Sequence, residues 1–440
     1  MPQVPHIPRR SDRILGSPDP SPLRGCSRRK HLFLSRHVRC RGKTVTVLTA
    51  FTLLFAALVI SVSSAEEVTG ISFEMPPEER QSRRADSLAV RVDGNRFVDQ
   101  RGKPVRLQGV NYSGAEYACV GSTGTKGFGV WDGPADQALV DGFKSWNVKA
   151  VRIPLNETCW LGINGVTPAY SGANYQAEIA RFVKLLTDNG IYAIVDLHWN
   201  APGTHIARSQ QKMADRDHSP GFWYQVANTF KSNPGVVFDL YNEPRFSTAE
   251  DWNCWRLGGC SVTRVGSTET FVAAGMQEMI DAVRWSGAKN VIILSGINYG
   301  NDLGLWTENK PTDPSNQLAA GFHNYNENFC NNVACWDKKV ADTAAGVPVV
   351  TTELGETDCG HSFIDAYMAW ADARGISYVG WSWNPSGCSE QPALVTDYAG
   401  TPTAYGVALR DHFRSLPKAS AAAGNVGPVG PPLGRARRPL

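Results

Sequence analysis

Eight apolar runs of strand length recur along the chain: VRLQGVN (105–111), KAVRIPL (149–155), IYAIVDL (191–197), GVVFDLY (235–241), NVIILSG (290–296), LAAGFHN (318–324), PVVTTEL (348–354) and ISYVGWS (376–382). Stretches of helical period lie between most of them, at 137–146, 175–189, 222–231, 268–285 and 363–374. Strands that alternate with helices predict a parallel sheet, and eight repeats predict that it closes into a (β/α)8 barrel rather than an open sheet. Ahead of the first run, VRVDGNRFVDQRGKPVRLQGVNYSG alternates around Asp93-Gly94 and Arg101-Gly102, which predicts an N-terminal β-hairpin.

The flanks read differently. Residues 1–43 are polar and rich in Pro and Arg, and TVTVLTAFTLLFAALVISVSSA follows at 44–65. A basic flank, an apolar core and small residues at Ser63 and Ala65 describe a secretory signal, with an uncleaved membrane anchor as the alternative. Residues 66–87 read as a linker, 88–416 as one catalytic domain and 417–440 as a disordered Pro/Gly/Arg tail.

Charge follows the same division. Of the formal +3, residues 1–65 contribute +9 (11 Lys and Arg against 2 Asp and Glu), which leaves −6 for residues 66–440. The basic pI therefore belongs to the leader, and the domain shows no clustered cations of the kind that bind nucleic acid. No glycine-rich phosphate loop follows a strand. Two of the ten cysteines, Cys26 and Cys40, lie in the leader. The other eight read as disulfides of an exported protein, with Cys254–Cys260 and Cys330–Cys335 close in sequence and Cys119–Cys159 and Cys359–Cys388 as the remaining expected pairs. Zinc spacing is missing, no cofactor is expected, and the domain is expected to be a monomer.

In such barrels the chemistry sits where strands end at the C-terminal rim. The predicted strand ends place Arg152, His198, Asn242, Glu243, His323, Tyr325, Glu353 and Trp381 there. Glu243 and Glu353, on strands four and seven, face each other across the mouth. Paired carboxylates across a cleft are the equipment of glycosidic-bond hydrolysis, one as proton donor and one as nucleophile or base. Seven tryptophans (131, 160, 199, 252, 255, 306, 336) fall after strands, where some can stack on sugars and at least half are expected to pack loops. Trp146, Trp285 and Trp370 lie in helical patterns and are expected in the core, whereas His205 and His218 are expected in solvent. An Asp196–His198 pair alone is too few ligands for a metal.

The ordered set RIP (152–154), DLHW (196–199), NEP (242–244), HNY (323–325), TELG (352–355) and WSWNP (381–385) resembles glycoside hydrolase family 5, the cellulase-type retaining (β/α)8 hydrolases, over about residues 88–416. The resemblance implies Glu243 as acid/base and Glu353 as nucleophile, with Asn242 on the sugar 2-hydroxyl. It implies Arg152 and Tyr325 as partners of the nucleophile, His198 and His323 as lining of the glycosyl subsite and Trp381 as a stacking platform. It also implies a β-linked polysaccharide or oligosaccharide as partner, with endo-β-1,4-glucanase as the first choice. β-Mannanase, β-1,3-glucanase or xyloglucan-acting enzymes, a silent carbohydrate-binding barrel and a metal-dependent barrel hydrolase are the alternatives. One departure stands out: Thr352-Glu353-Leu354-Gly355 lacks the family's first glycine and its aromatic, and Glu356 follows three residues on.

Overall fold

The computed structural model describes residues 88–121, 128–388 and 392–417. The leader and signal, the linker at 66–87 and the tail from 418 lie outside the described residues. All eight expected strands are present: β1 (Gln108–Asn111), β2 (Ala150–Asn156), β3 (Tyr192–Trp199), β4 (Val236–Asp239), β5 (Ile292–Ser295), β6 (Leu318–Tyr325), β7 (Val349–Gly355) and β8 (Ser377–Gly380). Each pairs in parallel with the next and β8 pairs with β1, so the sheet closes.

The barrel interior is filled from below. Ala150, Ile194, Val237, Ile293, Ala319, Val350 and Val379, one from each of seven strands, meet Val90 and Phe97 of the N-terminal segment in one buried cluster. Phe97 belongs to the expected hairpin, Arg91–Asp93 paired with Arg96–Val98, whose turn uses Gly94 at φ 61°. This hairpin plugs the base of the barrel. A larger cluster joins the outward strand faces to the surrounding helices.

Helix Ala173–Asp188 buries Tyr175, Ile179, Phe182, Val183 and Leu186, the 3–4 spacing of one helical face. The expected helix at 268–285 is half strand: Thr270–Ala274 pairs antiparallel with Gly258–Thr263, and only Met276–Trp285 is helical. TFVAA is β-branched and aromatic, and a facing strand was within reach, so local pairing overrode the helical period. Trp285 is 84% exposed and touches only Tyr224 among the aromatic rings, contrary to its expected place in the core; it is the last residue of its helix, where the inward face has run out.

The four disulfides are Cys119–Cys159, Cys254–Cys260, Cys330–Cys335 and Cys359–Cys388, the expected pairs. Among the described residues no helix is long and apolar enough to cross a membrane.

Candidate active site

Side chains alternate along a strand, so one face of each barrel strand points inward. On β2 this takes Arg152 inside with Ala150, and on β6 it takes His323 and Tyr325 inside with Ala319. On β7 simple alternation fails. Val350 is inward and Thr351 is outward, its hydroxyl meeting Tyr367 on a surrounding helix, so Glu353 would also point out. The ladder instead skips a residue: Phe322 is opposite Thr351 but His323 is opposite Glu353. Thr352 is the extra residue of a β-bulge, which turns Glu353 into the barrel. Its freed carbonyl accepts from Asn111 Nδ2 at 2.9 Å. A second register shift, at His198 on β3, lies on the same rim.

Arg152 is fully buried and organises the floor of the site. Its Nη1 donates to Glu353 Oε1 at 3.0 Å and to Asn111 Oδ1 at 3.1 Å, its Nη2 to Asn242 Oδ1 at 2.7 Å, and its Nε to Asp239 Oδ2 at 2.9 Å. Asp196 Oδ1 lies 3.2 Å from Nη2 as an ion-pair contact. Burial works against the guanidinium charge, but Asp196, Asp239 and Glu353 together hold its pKa above the ordinary value. Three carboxylates around one cation leave an excess of negative charge in a dry place. Asp239 relieves it: burial, reinforced by Asp196 and Glu353 against the pull of Arg152, pushes its carboxyl up to about 7.

Above this floor Glu353 Oε2 accepts from the Tyr325 hydroxyl at 2.6 Å. His323 Nδ1 lies 3.1 Å from Glu243 Oε1 and 3.6 Å from Glu353 Oε2, so one imidazole nitrogen is bracketed by both acids. Burial lowers its pKa to about 4, so the ring is neutral at physiological pH; the contact to Glu243 is a hydrogen bond rather than an ion pair, and that to Glu353 is a close approach only. A proton on Nδ1 is donated to Glu243 and leaves the ring's unpartnered Nε2 as a bare acceptor. Burial raises the pKa of Glu243, against the pull of His198, Arg245 and Arg152, although a fifth of its side chain reaches solvent. A carboxylate oxygen of Glu243 lies within 4.8 Å of one on Glu353.

His198 Nδ1 sits 2.8 Å from Asp196 Oδ2; burial disfavours its protonation, yet Asp196 and then Glu116 raise its pKa. Its ring stacks on Trp381, with centroids 5.7 Å apart and planes at 16°. Trp381 stays partly exposed at the mouth. Of the seven post-strand tryptophans, Trp160, Trp252, Trp255, Trp306 and Trp336 are buried loop packing, and Trp131 and Trp199 are partly open. His205 reaches solvent beside Glu269, but His218 is half-buried with its Nδ1 on Ala201 O at 2.8 Å. Glu356 is a helix cap: its Oε2 accepts from the backbone N–H groups of Phe363 and Ile364 at 3.0 and 3.2 Å.

Sequence reading passed over Asn111, Asp239 and Gln210. Asn111 ends the first predicted strand, and Asp239 is a charge inside an apolar run, a signal that was present in FDLYNEP. Gln210 lies on the long loop after β3 and gave no signal. It donates to Glu243 O at 2.6 Å and accepts from Asn242 Nδ2 at 2.7 Å, so it fixes both residues of the pair.

Among the described residues two groups bring three potential metal ligands together, Glu243–His323–Glu353 and Glu157–Asp215–His218. The second group is saturated by protein donors. Glu157 accepts from Ser219 Oγ and Ala201 N, each at 2.6 Å, and Asp215 from Asn200 Nδ2 at 2.8 Å and His218 N at 2.9 Å. It works as a hydrogen-bond knot that ties the loops after β2 and β3. Burial and Asp215 raise the Glu157 pKa well above the ordinary value, so the folded protein keeps this proton while the unfolded chain loses it above about pH 4.3. A raised acid favours the fold at low pH, and stability falls as pH rises from there through the folded pKa. Glu157→Gln mimics the protonated form. It is expected to flatten the decline of Tm between pH 5 and 8 and to raise Tm at pH 8 by about 1–2 °C per kcal/mol recovered, the scale for a domain of this size. Parallel declines in variant and wild type would place the proton elsewhere.

Comparison with known proteins agrees with this geometry. A model of the cellulase family, glycosyl hydrolase family 5, matches residues 98–387. Endoglucanase C of Evansella cellulosilytica is 23% identical over 335 residues, covering 69% of this chain and 37% of the relative. Endoglucanase 5 of Pectobacterium carotovorum is 24% identical over 305 residues, covering 66% and 49%. The chain thus spans half or less of the length of these curated relatives. Among solved structures, a β-glucanase from Saccharophagus degradans aligns with TM-score 0.55 at 20% identity, covering 74% of this chain and 93% of that one, a likeness of fold. With the family model matched across all eight barrel strands and all six motifs, the chain belongs to the cellulase family, glycosyl hydrolase family 5.

Proposed function

We propose that the protein is an exported, retaining endo-β-glycosidase whose first substrate is a β-1,4-glucan. The observation that carries this is the Glu243–Glu353 pair. Oxygens within 4.8 Å leave no room for a water between the carboxyl and the sugar, which is the short spacing of double displacement and not the longer one of inversion. The relatives named endoglucanase, and the Saccharophagus β-glucanase solved with cellotetraose, support the choice of a glucan. Four disulfides support an oxidising compartment.

In the first step Glu353 attacks the anomeric carbon while Glu243, held protonated by burial, gives its proton to the departing glycosidic oxygen. Arg152 and Tyr325 fix the two oxygens of Glu353, so the attacking lone pair is aimed before substrate arrives. In the second step Glu243, now ionised, takes a proton from water, which displaces Glu353 and returns it as carboxylate. Asn242 uses Oδ1 on Arg152 and one N–H on Gln210, which leaves its second N–H for the sugar 2-hydroxyl. Trp381, braced by His198, offers its face to the ring being opened to attack.

The test is reducing-sugar release from carboxymethyl-cellulose, mannan, xyloglucan and mixed-linkage glucan, with NMR of the first-formed product. The expected result is cutting of a glucan with the β-anomer appearing first. An α-anomer first would exclude the covalent mechanism, and cutting of mannan alone would replace the glucan.

A further inference from the structure

On that reading the departing half of the substrate lies on the Glu243 side of the cleft. Beside the segment that follows Glu243 is a cavity of about 650 Å³ lined by Lys212, Arg245, Arg264, Ser267 and Tyr299 among others. Its lining holds three cations and no carboxylate, in a part of the chain whose net charge is −6. Among the described residues neither Lys212 nor Arg245 has a carboxylate within ion-pair distance, and Arg245 Nε is buried without a hydrogen-bond partner. Arg264 is partly neutralised by Glu269 at 3.3 Å, and Asp251, the next acid, lies near enough to Lys212 to feel its charge.

The cavity is built, not incidental. Arg245 N donates to Lys212 O at 2.8 Å, Tyr299 N to Pro244 O at 3.0 Å, and Asn298 N to Phe246 O at 2.6 Å. These bonds lock the wall to the segment that carries Glu243. Asn298 and Tyr299 are consecutive non-glycine residues at φ 54° and 60°, a conformation kept only where the surroundings hold it. It sets the half-exposed Tyr299 ring beneath the Arg245 guanidinium, 5.2 Å from its carbon to the ring centre. A fixed fork beside hydroxyls and a flat ring is what an anionic sugar requires.

We propose that this cavity is a leaving-group subsite for an anionic sugar, one that carries a carboxylate or a sulfate ester. The inference rests on the reading of Glu243 as the proton donor. The experiment gives the full protein cello-oligosaccharides of one length in three forms, neutral, oxidised at C6 to the carboxylate, and sulfated at C6, with product masses recorded. The expected result is a kcat/KM at least about fivefold higher for an anionic form at low salt, the scale of one partly exposed ion pair. That preference falls at about 0.5 M salt, where the screening length is only a few ångströms. The charged sugar stays on the fragment released first, and which anionic arm is preferred names the substituent.

Lys212→Gln and Arg245→Gln each lower the ratio of anionic to neutral kcat/KM, whereas a merely structural defect lowers both and leaves the ratio. Equal rates on all three forms, or a charged sugar found on the glycosyl fragment, overturn this inference alone. If none of the three is cut, the β-1,4-glucan reading falls and this one with it.

Discussion

Glu353→Gln is expected to lower kcat by about 10⁴-fold or more while leaving Tm equal to or above that of wild type, the signature of a lost nucleophile in an intact fold. Glutamine has the same shape, and its one carbonyl oxygen can still accept from Arg152 while its amide N–H faces the Tyr325 hydroxyl oxygen, but it has no carboxylate to attack the anomeric carbon. Removing one negative charge from a floor that already holds too many explains why stability does not fall. Glu356→Gln is the matched control for the departure from the family pattern at 352–355. Its expected cost is about 1 kcal/mol of helix capping, with kcat close to wild type. The measurement is initial rate and melting temperature on the same preparations. Loss of activity in Glu356→Gln with turnover kept in Glu353→Gln would reverse the assignment.

The second large effect is on stability. Arg152→Met removes the guanidinium from a buried group that contains Asp196, Asp239 and Glu353, and is expected to cost about 3–5 kcal/mol, because the carboxylates lose their shared ion-pair partner. Arg152 pulls down the raised pKa of Asp239, so without the guanidinium that carboxyl holds its proton to higher pH. A raised acid stabilises the fold below its unfolded pKa, so the deficit is expected to shrink as pH falls from 7.5 toward 5. Adding Asp239→Asn to Arg152→Met is expected to recover part of the loss at pH 7.5. Denaturant midpoints of wild type, single and double variants at the two pH values check this. A deficit that ignores pH would mean that the guanidinium serves by packing rather than by charge.

The strands were legible because each barrel strand is buried on both faces and writes a continuous apolar run. The rim was legible because a charge at the end of such a run has few structural reasons to be there; Arg152, Glu243 and Glu353 all stand out this way. Orientation was harder. Nothing in VPVVTTELG shows that Thr352 bulges, since the bulge is settled by pairing with β6 and β8 and by the strap from Asn111, both remote in sequence. The same limit applies to Asp239, whose carboxyl is explained only by a partner 87 residues away. The 258–274 hairpin was misread because its second strand runs straight into a helix with no breaker except Gly275.

The plugged base of the barrel has a practical side. Val90 N donates to Pro234 O, just before β4 begins, and Asn147, just before β2, donates to Phe413 O and Leu416 O. Both ends of the described domain therefore leave from the face opposite the glutamates. The domain tethered to a bead by either end presents its cleft outward, and a fusion at Leu88 or Pro417 adds no obstruction at the mouth.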